Sequence, residues 1–276
     1  MSRLPRLLKL FGAAVVLLVV MAPLPAAGLS EADAQQLFEE ANSQFRRGNE
    51  LSRTNPIAAK EAYRSAVIRF ERIVEEGGVR NGRLLYNIGN AYFRLNDIGR
   101  AILNYRRAEQ FIAGDANLAQ NLRYARSRRV DQIEEKQETQ VLRTLLFWHY
   151  DLPPGTRFSV FAAFFVAFWG LASARLFFAD RVRRAVVAAF GAIAAVLLGS
   201  LVLQAATGNR DGVIVAEQVV ARIGDGDSYE PRFNEPLHAG AEFALVEDRG
   251  EWRQVELADG QRCWIPATAT ALVDGG

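Results

Sequence analysis

The chain has 276 residues, half of them apolar, with 33 lysines and arginines against 31 aspartates and glutamates and a single cysteine, Cys263. One cysteine excludes an intramolecular disulfide, so stability has to come from packing. The net charge of +2 hides a division: residues 31–147 carry 19 basic and 16 acidic side chains, whereas residues 208–276 carry 6 and 13, and that acidic segment excludes nucleic acid as its partner.

Residues 1–28 read as a signal peptide. Arg3, Arg6 and Lys9 precede an apolar run from Leu10 to Met21, followed by Pro23, Pro25 and the small residues Ala26, Ala27 and Gly28, which place cleavage near Ala27 or Gly28. The alternative is an uncleaved anchor, although the run falls short of the roughly 20 residues that cross a bilayer. No cysteine follows the small residues, which excludes a lipoprotein anchor.

Residues 31–147 read as helical hairpins. The clearest stretch is Leu84 to Ala108: counted from Gly82 as position one of a 34-residue unit, Leu85, Ile88, Gly89, Tyr92, Ala101, Tyr105 and Ala108 fall at positions 4, 7, 8, 11, 20, 24 and 27. Gly89 and Ala101 let two helix backbones approach, Ala108 admits a following hairpin, and the larger residues fill the seam. The spacing is the tetratricopeptide pattern. Upstream, Phe38, Ala41 and Phe45 repeat the first-helix logic from Gln35, while Ala59, Tyr63 and Ala66 arrive five residues late, which predicts an enlarged turn over Gly48 to Pro56. The second helix should then continue through Phe70 and Ile73 until Gly77 and Gly78 end it. Downstream, Ala116, Ala119, Leu122 and Ala125 begin a third unit that loses the motif at Arg123. The charged segment to Leu146, with Glu134 and Glu138 at helical spacing, reads as a capping and connecting helix.

In such an array the first helices form a groove. Its lining is expected at Arg83, Tyr86, Asn90, Phe93 and Arg94 on the clear repeat, and at Gln36, Glu39, Ser43 and Arg47 on the first. Arg83, Asn90 and Arg94 are the donors suited to a carboxylate or an extended backbone.

Two further apolar stretches, assigned as spans over 158–178 and 185–206, are long enough to cross a hydrocarbon core of about 30 Å. The short hinge between them holds Arg175, Arg181, Arg183 and Arg184 against Asp180, and the positive-inside rule puts it in the cytoplasm. The segments before and after the pair then both lie outside, where a signal peptide would deliver the first of them. Trp148, Tyr150 and Arg157 flank the first span as interfacial residues. His149 beside the membrane and His238 in a loop-like stretch sit at no metal-ligand spacing; no metal or cofactor is expected.

From residue 211 to 274 the pattern changes to period two, in VIVAEQVVARI, EFALVED, EWRQVEL and RCWIP separated by Gly and Asp turns. About 60 residues of this kind make a small all-β barrel. Val219 to Arg222, the Gly224 to Asp227 turn, Leu237 with Gly240, Phe243, Leu245, Gly250 with Trp252, Val255, Asp259, Gly260, and Trp264 with Ile265 and Pro266 resemble a bacterial SH3 domain. Cys263 departs from that pattern, which has glycine there, and reads as a buried hydrophobe. The resemblance puts ligand contacts at Tyr229, Glu230, Phe233 and Trp252. Whether the acidic module docks on the mildly basic helices is open, two separately solvated surfaces being the expectation.

Signal peptide, tetratricopeptide-like hairpins, a two-helix transmembrane hairpin and a small SH3-like barrel, in that order, resemble the BatE-type proteins of the aerotolerance operons over essentially the whole chain. The resemblance implies a non-enzymatic inner-membrane protein, encoded with a MoxR-type AAA ATPase and with membrane proteins bearing von Willebrand A domains. It implies a role in stress tolerance or envelope integrity. The expected function is a membrane-anchored adaptor whose two external modules bind proteins, von Willebrand A domain partners first. The alternative is a tether that binds peptidoglycan through the barrel. A hydrolase finds no support in the residues, since Cys263 lacks a nearby histidine and no Ser, His and carboxylate grouping stands out.

Overall fold

Among the described residues five helices come first, and a polar side chain starts each one. Ser30, Asn55, Asn81, Asp97 and Asp115 accept backbone N–H groups at the starts of α1 (Glu31–Leu51), α2 (Pro56–Glu75), α3 (Gly82–Arg94), α4 (Ile98–Ile112) and α5 (Ala116–Ser127). The computed structural model describes residues 28–133, 146, 148, 152, 154–178, 183–207 and 210–274. The signal segment up to residue 27, the connecting segment with Glu134 and Glu138, and His149 lie outside the described residues.

α1 packs on α2 and α3 on α4, while α2 meets α3 and α4 meets α5. Small residues permit the approaches. A Cβ at Gly89 would stand 2.6 Å from the Tyr105 ring, and one at Gly48 would stand 2.5 Å from the Tyr63 ring. Around these contacts Ala41, Ala66, Phe70, Ile88, Ala101, Tyr105 and Ala108 form one buried core.

One expectation is corrected here. The Gly48 to Pro56 region is not an enlarged turn: α1 continues through Gly48 to Leu51 because Gly48 seats against Tyr63, leaving a short turn before Pro56. The first helix of the third unit is anchored by Leu118, Leu122 and Ala125. Residues 128–133 are not helical, and Arg129 and Asp131 bond to the β module; the rest of the expected capping and connecting helix lies outside the described residues.

α6 (Pro154–Phe177) and α7 (Arg184–Thr207) pack on each other, and both are long and apolar enough to cross a membrane. Phe164 meets Phe190 at 5.3 Å between ring centroids, and Phe168 lies over Gly191. α6 starts at Pro154, so Arg157 is inside the helix rather than flanking it. It is 2 % exposed and donates to Ser200 Oγ on α7 at 2.8 Å and to the Leu152 carbonyl at 3.1 Å.

The carboxy-terminal module is a five-stranded antiparallel sheet in the order β6-β5-β4-β1-β7, with a β2-β3 ribbon. Its strands are β1 (Asp211–Ile214), β2 (Gln218–Val219), β3 (Leu237–His238), β4 (Glu242–Asp248), β5 (Trp252–Leu257), β6 (Arg262–Pro266) and β7 (Thr270–Leu272). Ile214, Phe243, Val255, Cys263 and Ile265 fill its core, in the register Phe243 opposite Leu257 and Val255 opposite Cys263. Gly250 takes φ +82° at the β4–β5 turn, where a side chain would be strained.

The two modules are not separately solvated. Val213 and Val273 complete the helical core, and a Cβ at Gly99 of α4 would meet the Ile214 carbonyl oxygen at 2.7 Å. The β1–β7 side of the sheet thus packs against α4 and the helical core.

Candidate functional site

Helices α1, α3, α4 and α5 enclose a cleft of about 380 Å³ lined by Phe45, Asn90, Phe93, Arg94, Tyr105, Asn121 and Tyr124. Its floor is a polar network. Asn90 Oδ1 accepts from Tyr105 OH at 2.8 Å and from Asn121 Nδ2 at 2.9 Å, and Asn121 Nδ2 also donates to Tyr86 OH at 2.8 Å. With its oxygen saturated, Asn90 offers a ligand the donors of its Nδ2. Burial pushes the Tyr105 phenol above its usual range, so it remains a donor. Phe93 and Tyr124 form the aromatic wall at 5.4 Å, and Arg94 is an exposed cation at the rim. The cleft therefore presents apolar faces, amide donors and one guanidinium, a set suited to an extended peptide.

Of the residues expected in the groove, Asn90, Phe93 and Arg94 line the cleft. Tyr86 lies against Tyr105 at 5.9 Å and supports the network. Arg83 does not line it, and from the first helix Phe45 does so in place of Gln36, Glu39, Ser43 and Arg47. Tyr105 had been read only as seam filling. Asn121 and Tyr124 were missed because they sit on the helix where the repeat spacing lapses.

On the β module, Tyr229 covers Gly224 and is 46 % exposed, and Glu230 beside it is exposed. Phe233 and Trp252 are half-buried, Phe233 against the module's core. Trp264 is buried beneath Arg249, whose guanidinium lies 4.6 Å from the ring centroid. The Cys263 thiol is 1 % exposed, and burial pushes it up to about 12, so it behaves as a core residue.

The joint between the modules concentrates charge. Glu242 receives Arg126 through two bonds of 2.7 Å, with Arg129 at 3.3 Å and Arg106 at 3.4 Å. Arg106 also pairs with Asp211 at 2.7 Å, Arg107 donates to the Leu272 carbonyl at 2.9 Å, and Gln110 bonds Asp274. His238 is half-buried here rather than a free surface residue; its backbone N–H and ring Nδ1 both meet the Asp131 carboxylate.

Burial opposes ionisation of Glu242, but the arginines outweigh it and hold the carboxyl below its usual range. Its contribution is therefore complete above about pH 4.5 and is lost as pH falls through the depressed value. Asp211 runs the other way: burial raises it, Arg106 offsets that only in part, and its ionisation weakens the joint as pH rises through the raised value. We expect acid to loosen the joint in the unaltered chain and Glu242→Gln to flatten that acid limb, read as protease cleavage between residues 128 and 133 against pH. An acid limb unchanged in Glu242→Gln would assign it to another group.

No protein-family model matches the chain, and no curated protein is similar to it at a significant level.

Proposed function

We propose that this protein is a membrane-anchored adaptor without catalytic activity, whose tetratricopeptide-like groove holds an extended segment of a partner protein. The observation that carries the reading is the cleft of Asn90, Phe93, Arg94, Tyr105, Asn121 and Tyr124, where peptide-binding groups converge. The SH3-like barrel, with Tyr229 and Glu230 exposed, is a second contact surface. The order of modules supports a BatE-type protein of the bacterial inner membrane, with von Willebrand A domain membrane proteins as partners in an envelope complex for stress or oxygen tolerance. Two spans leave their flanking segments on one side of a membrane, and the joint between those segments agrees with that topology. The arginines of the hinge support the outer face.

The test is in-cell crosslinking and affinity purification from solubilised membranes, comparing the unaltered chain with Arg94→Glu combined with Tyr124→Ala. Both side chains are exposed, so folding should be unaffected. Loss of a central aromatic and a charged contact is expected to weaken binding by ~30-fold or more. Undiminished recovery of the same partner would overturn the groove reading, and wall fragments recovered without any protein partner would replace it with the peptidoglycan tether.

A further inference from the structure

One end of the helical domain lies beside the connection to α7. Leu29 donates to the Glu76 carbonyl at 3.3 Å, just past α2, so the start of α1 and the end of α2 share this end. α7 ends at Thr207 and β1 begins at Asp211, a step of at most about 14 Å for an extended chain. Asp211 is fixed to Arg106, and Gln110 to Asp274, so the last turns of α4 are held beside the point where the chain leaves α7. The start of α3 is at this end too, because Gly82 packs against Phe111 and Ile112.

The surface there exposes apolar side chains and arginines. Phe111 is 50 % and Val79 38 % exposed, and Arg80, Arg83 and Arg210 are exposed around them. Most nearby carboxylates are engaged: Glu76 with Arg72 at 2.8 Å, Glu109 and Asp211 with Arg106, and Asp115 in capping α5. Glu75 and, at the start of α1, Glu31 are exposed at the same end as Arg80, Arg83 and Arg210. Arg83 stands two turns before Asn90 on α3, which is why it faces this end and not the cleft.

We infer that this end of the helical domain rests on the bilayer, with Phe111 and Val79 entering the headgroup layer and Arg80 and Arg83 binding the phosphates of anionic phospholipids. The inference rests on the reading of α6 and α7 as spans. Basic residues near an anionic surface attract it by about 1 kcal/mol each, and exposed aromatic residues settle at the interface.

The full chain carrying Gly114→Cys, a position with open space around it at the same end, is spin-labelled and reconstituted in phosphatidylglycerol–phosphatidylcholine vesicles. Ile57→Cys, 75 % exposed at the start of α2 and so at the opposite end, is the control, and native Cys263 is too buried to label. Residue 114 should show a severalfold higher ratio of oxygen to aqueous-nickel collisions than residue 57. The difference should vanish in Arg80→Glu with Arg83→Glu, and in vesicles of phosphatidylcholine alone. Equal water accessibility at both labels overturns the inference, and a difference that persists in neutral vesicles overturns its assignment to anionic headgroups. Alkaline carbonate extraction in parallel separates the two readings. Protein retained in the membrane with a water-exposed label at 114 leaves the spans standing and removes only this contact, whereas protein released by carbonate removes the spans and the contact with them.

Discussion

Glu242→Arg should release the β module from the helical domain. The glutamate side chain is only 21 % exposed and stands among Arg126, Arg129 and Arg106, so the substitution sets a fourth cation among three. Breaking a buried ion pair by loss of one partner costs about 3–5 kcal/mol, and reversal adds repulsion to that loss. Undocking also uncovers Val213 and Val273, which are buried in the helical core. The measurement is thermal unfolding of the detergent-solubilised chain together with protease cleavage between residues 128 and 133. A lower midpoint and rapid cleavage are expected, with partial recovery when Arg126→Glu is added. Disrupting the Arg72–Glu76 pair, half-exposed on both sides, should change stability by less than about 1 kcal/mol. Equal effects from the two changes would mean that the joint is no stronger than an ordinary surface pair.

Gly89→Val should damage the α3–α4 hairpin and the cleft together. Its Cβ would sit 2.6 Å from the Tyr105 ring, and Tyr105 has little freedom to retreat: its hydroxyl is bonded to Asn90 and its ring lies against Tyr86. Overpacking of this kind costs about 1–3 kcal/mol, and a β-branched residue adds a helix-propensity cost. Because Tyr105 lines the cleft, partner recovery should fall even where the chain still folds. Gly114→Ala is the matched control, since nothing lies within 4 Å of its added carbon, and it should stay within about 0.5 kcal/mol of the parent. Comparable melting and binding in the two variants would refute the close-approach role of Gly89.

Local spacing carried much of this architecture. The small residues Gly89, Ala101 and Ala108 announced a helix pair, uncharged apolar runs announced α6 and α7, and period two announced β4, β5 and β6. What escaped depended on partners far away in the chain. Glu242 and Arg126 are 116 residues apart, and counting charge by segment reports totals rather than positions, so the joint was invisible. Arg157 reads as a flanking cation until Ser200 of the neighbouring helix is in place to receive it. In the cleft, α3 was legible because its repeat is regular, whereas Asn121 and Tyr124 lie where α5 has drifted from the pattern. Phe45 belongs to the repeated first-helix pattern; the extension of α1 to Leu51 changes the surroundings of that helix, and spacing alone does not disclose it.

The joint also makes the two long apolar helices mechanically unequal. Twenty residues of sequence separate Ile133 from α6, whereas three separate α7 from β1. A pull on the helical domain would pass through the arginines around Glu242 into the sheet, and from there along the three-residue link into α7. α7 would thus take up that pull, and α6 is held to it through Arg157, Ser200 and the Phe164–Phe190 contact.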